Sequence, residues 1–187
     1  YPMDYPMMVQ TLKTSIMQNQ LDYFFLHQFL QNNEYSSVIK NLLENIIPKI
    51  SNIDGENEEK LGVLAESISH FMLTEMLIPT QRKIIHNDIE IDIIIPNLNK
   101  LKDVSDDAII INFDKSTNRD EIQKKIEDLK TIQKNEKNIW IVSNKKLHSV
   151  SNIYRTDQYE NSFSNLFIDV RNFVTNKKFG KLKIFKT

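Results

Sequence analysis

The chain has 187 residues, 24 Lys and Arg against 25 Asp and Glu, a formal net charge of −1, no cysteine and only three glycines. Such a balance leaves no global field to draw the protein onto nucleic acid or an anionic membrane, so any nucleic-acid surface must be local. The lack of cysteine excludes disulfides, thiolate zinc sites and cysteine nucleophiles, and Gly55, Gly62 and Gly180 are too scattered to build a P-loop or a dinucleotide fold.

The four histidines form no H-x-x-x-H pair, so zinc is not expected. No apolar run approaches the roughly 20 residues that cross a bilayer. The expectation is a cytoplasmic protein with no membrane partner.

In chain order, Val9, Leu12, Ile16, Leu21, Phe24 and Phe29 recur at helical spacing, and Tyr35, Val38, Ile39, Leu42, Leu43, Ile46 and Ile47 do so more sharply. The spacing predicts a helical hairpin over 9–51. It buries its stripes against itself, against the rest of the chain, or against a second copy, which makes a homo-oligomer through these helices an expectation.

The polar stretch "SNIDGENEE" is the candidate boundary and opens a second unit over 58–187. It lacks the alternating ligands and terminal glutamate of a calcium loop. A third helix from Glu58 to Leu77 carries Leu61, Leu64, Ile68, Phe71, Met72 and Met76, and Pro79 stops it. Two strands, "TQRKIIHND" and "IEIDIII", then flank the turn pair Asn87 and Asp88.

"AIIINF" is apolar throughout, as suits a central strand. Arg119 to Glu136 is helical by its isoleucine and leucine spacing, and "NIWIVS" is a fourth strand. Helix followed by buried strand favours a parallel crossover. "LFIDVRNFV" and "KLKIF" read as further strands around the turn "NKKFGK", giving a β-rich tail. Trp140 and the cluster Tyr23, Phe24, Phe25 and Phe29 read as core or subunit contact.

The chemistry concentrates in the isoleucine-rich strands. Period-two alternation puts Glu90, Asp92 and Ile94 on one face and Ile89, Ile91, Ile93 and Ile95 on the other, so Asp92 is an acid inside an apolar strand and must be satisfied by something. Glu66 lies off the centre of its helix's apolar stripe, a position that equally suits solvated surface. Glu75 lies inside the stripe, where an ion pair or a cap would explain it.

The order α-β-β-β-α-β, with "LGVLAE" opening the first helix, "IEIDII" in the second strand and an apolar third strand ending in acid and lysine, resembles the PD-(D/E)xK, or restriction-endonuclease-like, superfamily. Archaeal Holliday-junction resolvases are similar in having a glycine four residues before the helix glutamate, the spacing of Gly62 and Glu66. The resemblance covers about residues 58 to 145. It implies an α/β fold with a mixed sheet behind the N-terminal hairpin, and magnesium-dependent hydrolysis of DNA phosphodiester bonds. It further implies Asp92, Asp114 and Glu66 as metal ligands, and a lysine, Lys115 in sequence order, near the attacking water.

In that family the third strand supplies an acid and a lysine two residues apart. Here Asn112 and Asp114 share a strand face, and Lys115 points the other way. Two repairs are open: Asp114 is the acid and Lys124 or Lys125 reaches back from the next helix, or Lys115 turns inward after the last ladder pair. The degenerate motif also leaves an alternative function, a catalytically inactive nuclease-fold module for nucleic-acid or protein binding and self-association.

Overall fold

The computed structural model describes residues 10, 28, 30–50, 56–157 and 162–177. The expected helix over residues 9–32 and the lysine-rich tail beyond residue 177 therefore lie almost wholly outside the described residues. Helix α1, Tyr35–Ile50, is followed by α2, Asn57–Glu75. Strands β1, Gln81–His86, and β2, Ile89–Ile95, form a hairpin. A short helix α3, Leu98–Asp103, leads to β3, Ile109–Phe113. Helix α4, Arg119–Ile132, strands β4, Ile139–Val142, and β5, Asn152–Tyr154, and helix α5, Phe163–Lys177, complete the order.

The sheet runs β1-β2-β3-β4-β5. The first two pairings are antiparallel and the last two parallel, so β3 is the central strand and all five of its residues are buried. Asn87 and Asp88 both take left-handed backbone (φ 51° and 61°), the conformation a two-residue hairpin turn needs to match the strands' twist. Asn118 caps α4 by accepting from the Glu121 N–H at 3.0 Å, while its amide donates to the Glu121 carboxylate at 2.8 Å.

Apolar side chains fill both faces of the sheet. On one, Ile93, Ile95, Ile109, Ile111, Phe113, Trp140 and Val142 pack under α1, α2 and α5. On the other, Ile91, Ile94, Ile110, Ile139 and Ile141 pack against α3 and α4. The stripe of α1 is covered within the chain: Tyr35, Val38, Leu42 and Ile46 share a core with Phe163, Leu166, Phe167 and Val170 of α5. Among the described residues no helix is long and apolar enough to cross a membrane.

Two expectations are corrected. "LFIDVRNFV" lies within helix α5 and is not a strand. Phe163, Leu166, Phe167 and Val170 are buried at three-to-four spacing, and this period prevails over the β-branched and aromatic content that suggested a strand. The strict alternation expected along β2 also fails, because Ile91 and Ile94 pack in one core while Ile93 and Ile95 pack in the other. Asp92 and Ile93 therefore turn to the same side. Opposite them the ladder skips the Lys83–Asp92 pair, and Lys83 has φ 51°. A left-handed residue inside a strand reverses the local pleat, which accounts for the slip.

Gly62 explains itself by contact. A Cβ there would collide with the Asp114 carbonyl oxygen and lie 3.0 Å from Lys115 Cγ, so α2 rests directly on the chain leaving β3. Glu66, one turn along, is thereby fixed over the same end of the sheet. Helix propensity alone makes Gly→Ala stabilising by up to about 1 kcal/mol. The contact reverses the sign: Gly62→Ala is expected to lower stability by about 1–3 kcal/mol in denaturant melts, the usual range for overpacking. A rise in stability would show that the close approach is absent.

Candidate active site

Asp92 is buried where β2 and β3 part. The two strands pair from Ile93 to Ile95 against Ile109 to Ile111; beyond that point side chains take over the ladder. The Phe113 N–H donates to Asp92 Oδ2 at 2.9 Å, and the Asp92 N–H donates to Asn112 Oδ1 at 3.2 Å. Asn112, standing where the strand alternation would put the third-strand acid, thus spends its oxygen on backbone.

Glu66 faces this point from α2 and is fully buried. Solvated surface is therefore excluded for it; α2 is buried nearly all round, so a place beside the apolar stripe is still interior. The other oxygen of Asp92, Oδ1, and both oxygens of Glu66 meet lysines. Lys115 Nζ lies 2.6 Å from Glu66 Oε2 and 3.0 Å from Asp92 Oδ1. Lys83 Nζ lies 2.8 Å from Glu66 Oε1 and 3.2 Å from Asp92 Oδ1, with Glu90 Oε1 3.6 Å away at the rim. Arg82 Nη2 stands 3.8 Å from Glu66 Oε1. At these separations both Glu66 oxygens are in close, charge-assisted contact with an ammonium.

The fields are consistent with this packing. Burial pushes the Lys83 ammonium down in pKa, but the charge of Asp92 and the contact with Glu66 outweigh it and hold Lys83 above its ordinary value. For Arg82 burial prevails over Asp92, and its pKa falls below the usual value. The left-handed backbone at Lys83 costs about 1–2 kcal/mol in a non-glycine residue. That strain persists where the surrounding contacts fix it, and such residues gather at functional sites.

Of the sequence-predicted site residues, Glu66, Asp92 and Lys115 come together and Asp114 does not. Lys115 continues the alternation of Ile109, Ile111 and Phe113 on the α2 side, so it needs no bulge in β3. It is Asp92 that changes side, through the break at Lys83. Asp114 turns toward β4. Its Oδ2 accepts from Ser143 Oγ at 2.6 Å and from Lys145 Nζ at 2.8 Å, its Oδ1 from the Ser116 N–H at 3.0 Å, and its own N–H donates to the Val142 carbonyl at 2.9 Å. Lys125 bonds the Glu90 carbonyl and Lys124 is exposed, so neither reaches Asp92.

Lys83 and Arg82 were missed by sequence reasoning. A signal was present: an Asn87–Asp88 turn fixes His86 opposite Ile89, and counting back along the hairpin puts Lys83 opposite Asp92.

The comparisons with known proteins follow the geometry. No protein-family model matches the sequence, and no curated protein matches it. A search of solved structures finds Ecl18kI, a PD-(D/E)xK restriction endonuclease, in a metal-depleted complex with uncleaved, modified DNA. The TM-score is 0.60 at 11% identity, covering 90% of this chain and 79% of Ecl18kI. The fold is restriction-endonuclease-like.

Within this nuclease-like sheet the donor set is two buried carboxylates, Glu66 and Asp92, with hard oxygen atoms that a single cationic nitrogen already bridges. Among the described residues no group of three or more His, Cys, Asp or Glu side chains is arranged to hold a metal ion. Two carboxylates still fit magnesium, which is commonly held by one or two of them together with waters and substrate phosphate. The pair is also a stability element. Glu66→Gln would leave three cations facing an uncharged amide. The two lysines are partly exposed and can regain water, so the expected loss is about 1–3 kcal/mol, read as a lower Tm. An unchanged Tm would show that the charge cluster does not hold α2 to the sheet.

Proposed function

We propose that this chain is a magnesium-dependent nuclease of the PD-(D/E)xK type that hydrolyses DNA phosphodiester bonds. The observation that carries the reading is the contact of one ammonium, Lys115 Nζ, with both buried carboxylates, Glu66 and Asp92, on a restriction-endonuclease-like sheet. Glu66 and Asp92 are the residues that would hold the ion. Magnesium bound there would supply Lewis-acid polarisation of the scissile phosphate and a more acidic bound water.

Lys115 stands beside both carboxylates, positioned to orient the attacking water and to balance charge that develops on the phosphate. The Phe113 N–H and Asn112 fix the angle of Asp92. Asp114, expected from sequence as a third ligand, takes a different part. Held by Ser143, Ser116 and Lys145, it anchors the chain at the end of β3 so that the next residue, Lys115, is delivered to the site.

DNA as substrate is supported by the nuclease fold and by the cations around the site's mouth, Lys83 and Lys125 among them, since the net charge of −1 requires any phosphate-binding surface to be local. The resemblance to archaeal Holliday-junction resolvases in the spacing of Gly62 and Glu66 sets the substrate panel. The inactive, self-associating module draws less support, because the apolar stripe of α1 is covered by α5 of the same chain.

Nicking of plasmid and of four-way-junction DNA in magnesium or manganese tests the reading. Asp92→Ala is expected to lose more than about a hundredfold in rate, the scale of several kcal/mol of transition-state stabilisation. Lys115→Met should lose cleavage while still binding manganese. Equal cleavage by wild type and Asp92→Ala overturns the assignment.

A further inference from the structure

Lys83 is the residue that the hydrolytic scheme leaves over. It occupies the same two carboxylates as Lys115, touching Glu66 Oε1 and Asp92 Oδ1, and Arg82 adds a third cation near Glu66. The two buried carboxylates are already balanced by two ammoniums, with the Arg82 guanidinium beside them. A divalent cation entering while both remained would bring five positive charges, Arg82 included, around the two inner carboxylates, in a setting where repulsion is poorly screened. One ammonium must therefore give way.

The structure distinguishes the two lysines. The Lys115 stem is wedged beside Gly62, and its neighbours Asp114 and Ser116 are tied to Ser143 and Lys145. Lys83 is the more exposed, at 39% against 26%, and has a third carboxylate beside it. That group is Glu90, 56% exposed at the rim and 3.6 Å from Lys83 Nζ. A lysine stem is long and flexible enough to remain with Glu90 while releasing the inner pair.

We infer that Lys83 is an exchangeable counter-ion: it holds Glu66 and Asp92 together when no divalent cation is bound, competes with that cation for them, and withdraws to Glu90 when the ion enters. The inference rests on the reading of Glu66 and Asp92 as cation-holding carboxylates. It makes Lys83 a positioning residue, acting on the ligand pair, and it gives the left-handed backbone at Lys83 a purpose, since that break turns both Lys83 and Asp92 toward Glu66.

Manganese binding to the full chain without DNA, followed by electron paramagnetic resonance of the free ion, tests this. Lys83→Met is expected to bind manganese at least about fivefold more tightly than wild type, the lower end of ordinary coupling between competing occupants. Lys125→Met, which removes a nearby charge that touches neither inner carboxylate, should change affinity less than about twofold by the same comparison. Glu90→Gln, a rim substitution, should weaken binding more in wild type than in the Lys83→Met background.

Binding by wild type that is unchanged or weaker in Lys83→Met overturns the counter-ion role and leaves the nuclease reading in place. So does an equal gain in Lys125→Met, which would be a plain field effect. No manganese bound by wild type or by Lys83→Met overturns both.

Discussion

Two carboxylates buried at one point, Glu66 from a helix and Asp92 from a strand, are the constraint around which this end of the molecule is organised. Neither can be left alone in an interior, since an unpaired buried charge is among the costliest features a fold can carry. The chain meets the demand with cations from two directions, Lys115 from beyond β3 and Lys83 and Arg82 from β1. What would be a defect in a purely structural core becomes a preorganised charge cluster at the splayed end of a central strand pair.

The rest of the local structure serves that cluster. Gly62 lets α2 touch the chain after β3, which sets the height of Glu66 over the sheet. Asp114 pins the same chain to β4 through Ser143 and Lys145, so that Lys115 turns the other way. The Asn87–Asp88 turn sets the β1–β2 register, and the left-handed Lys83 slips the pleat by half a period. Each device is small, but removing one shifts a member of the charge cluster built on Glu66 and Asp92.

Much of this was legible in the sequence, and the part that was not has a physical reason. Helix α4 and the strands β1 to β4 follow from hydrophobic period and turn residues, and the mixed sheet follows from the order of elements. Helix α5 was misread because Phe, Ile and Val suit either state and its three-to-four period was passed over. The candidate site was half legible: Asp92 stood out as an acid inside an apolar strand, and Gly62, Glu66 and Lys115 through the resemblance to the PD-(D/E)xK superfamily. Their convergence was hidden by the assumption of perfect alternation, under which Asp92 and Lys115 fall on opposite faces. A single residue in left-handed conformation undoes that assumption, and nothing in the composition of "QRKIIH" announces it. Asp114 was the converse case, an acid of the right type whose hydroxyl and lysine partners, Ser143 and Lys145, are 29 and 31 residues away in the chain.

Anomalous diffraction from crystals soaked in manganese, in the absence of DNA, addresses the central claim most directly. One strong peak is expected within coordination distance of both Glu66 and Asp92, about 2.1–2.3 Å from their oxygens as for hard divalent cations, with Asp114 still bound to Ser143 and Lys145. A peak on Asp114 alone, or an undisturbed Lys83 and Lys115 with no peak between the two carboxylates, would contradict it.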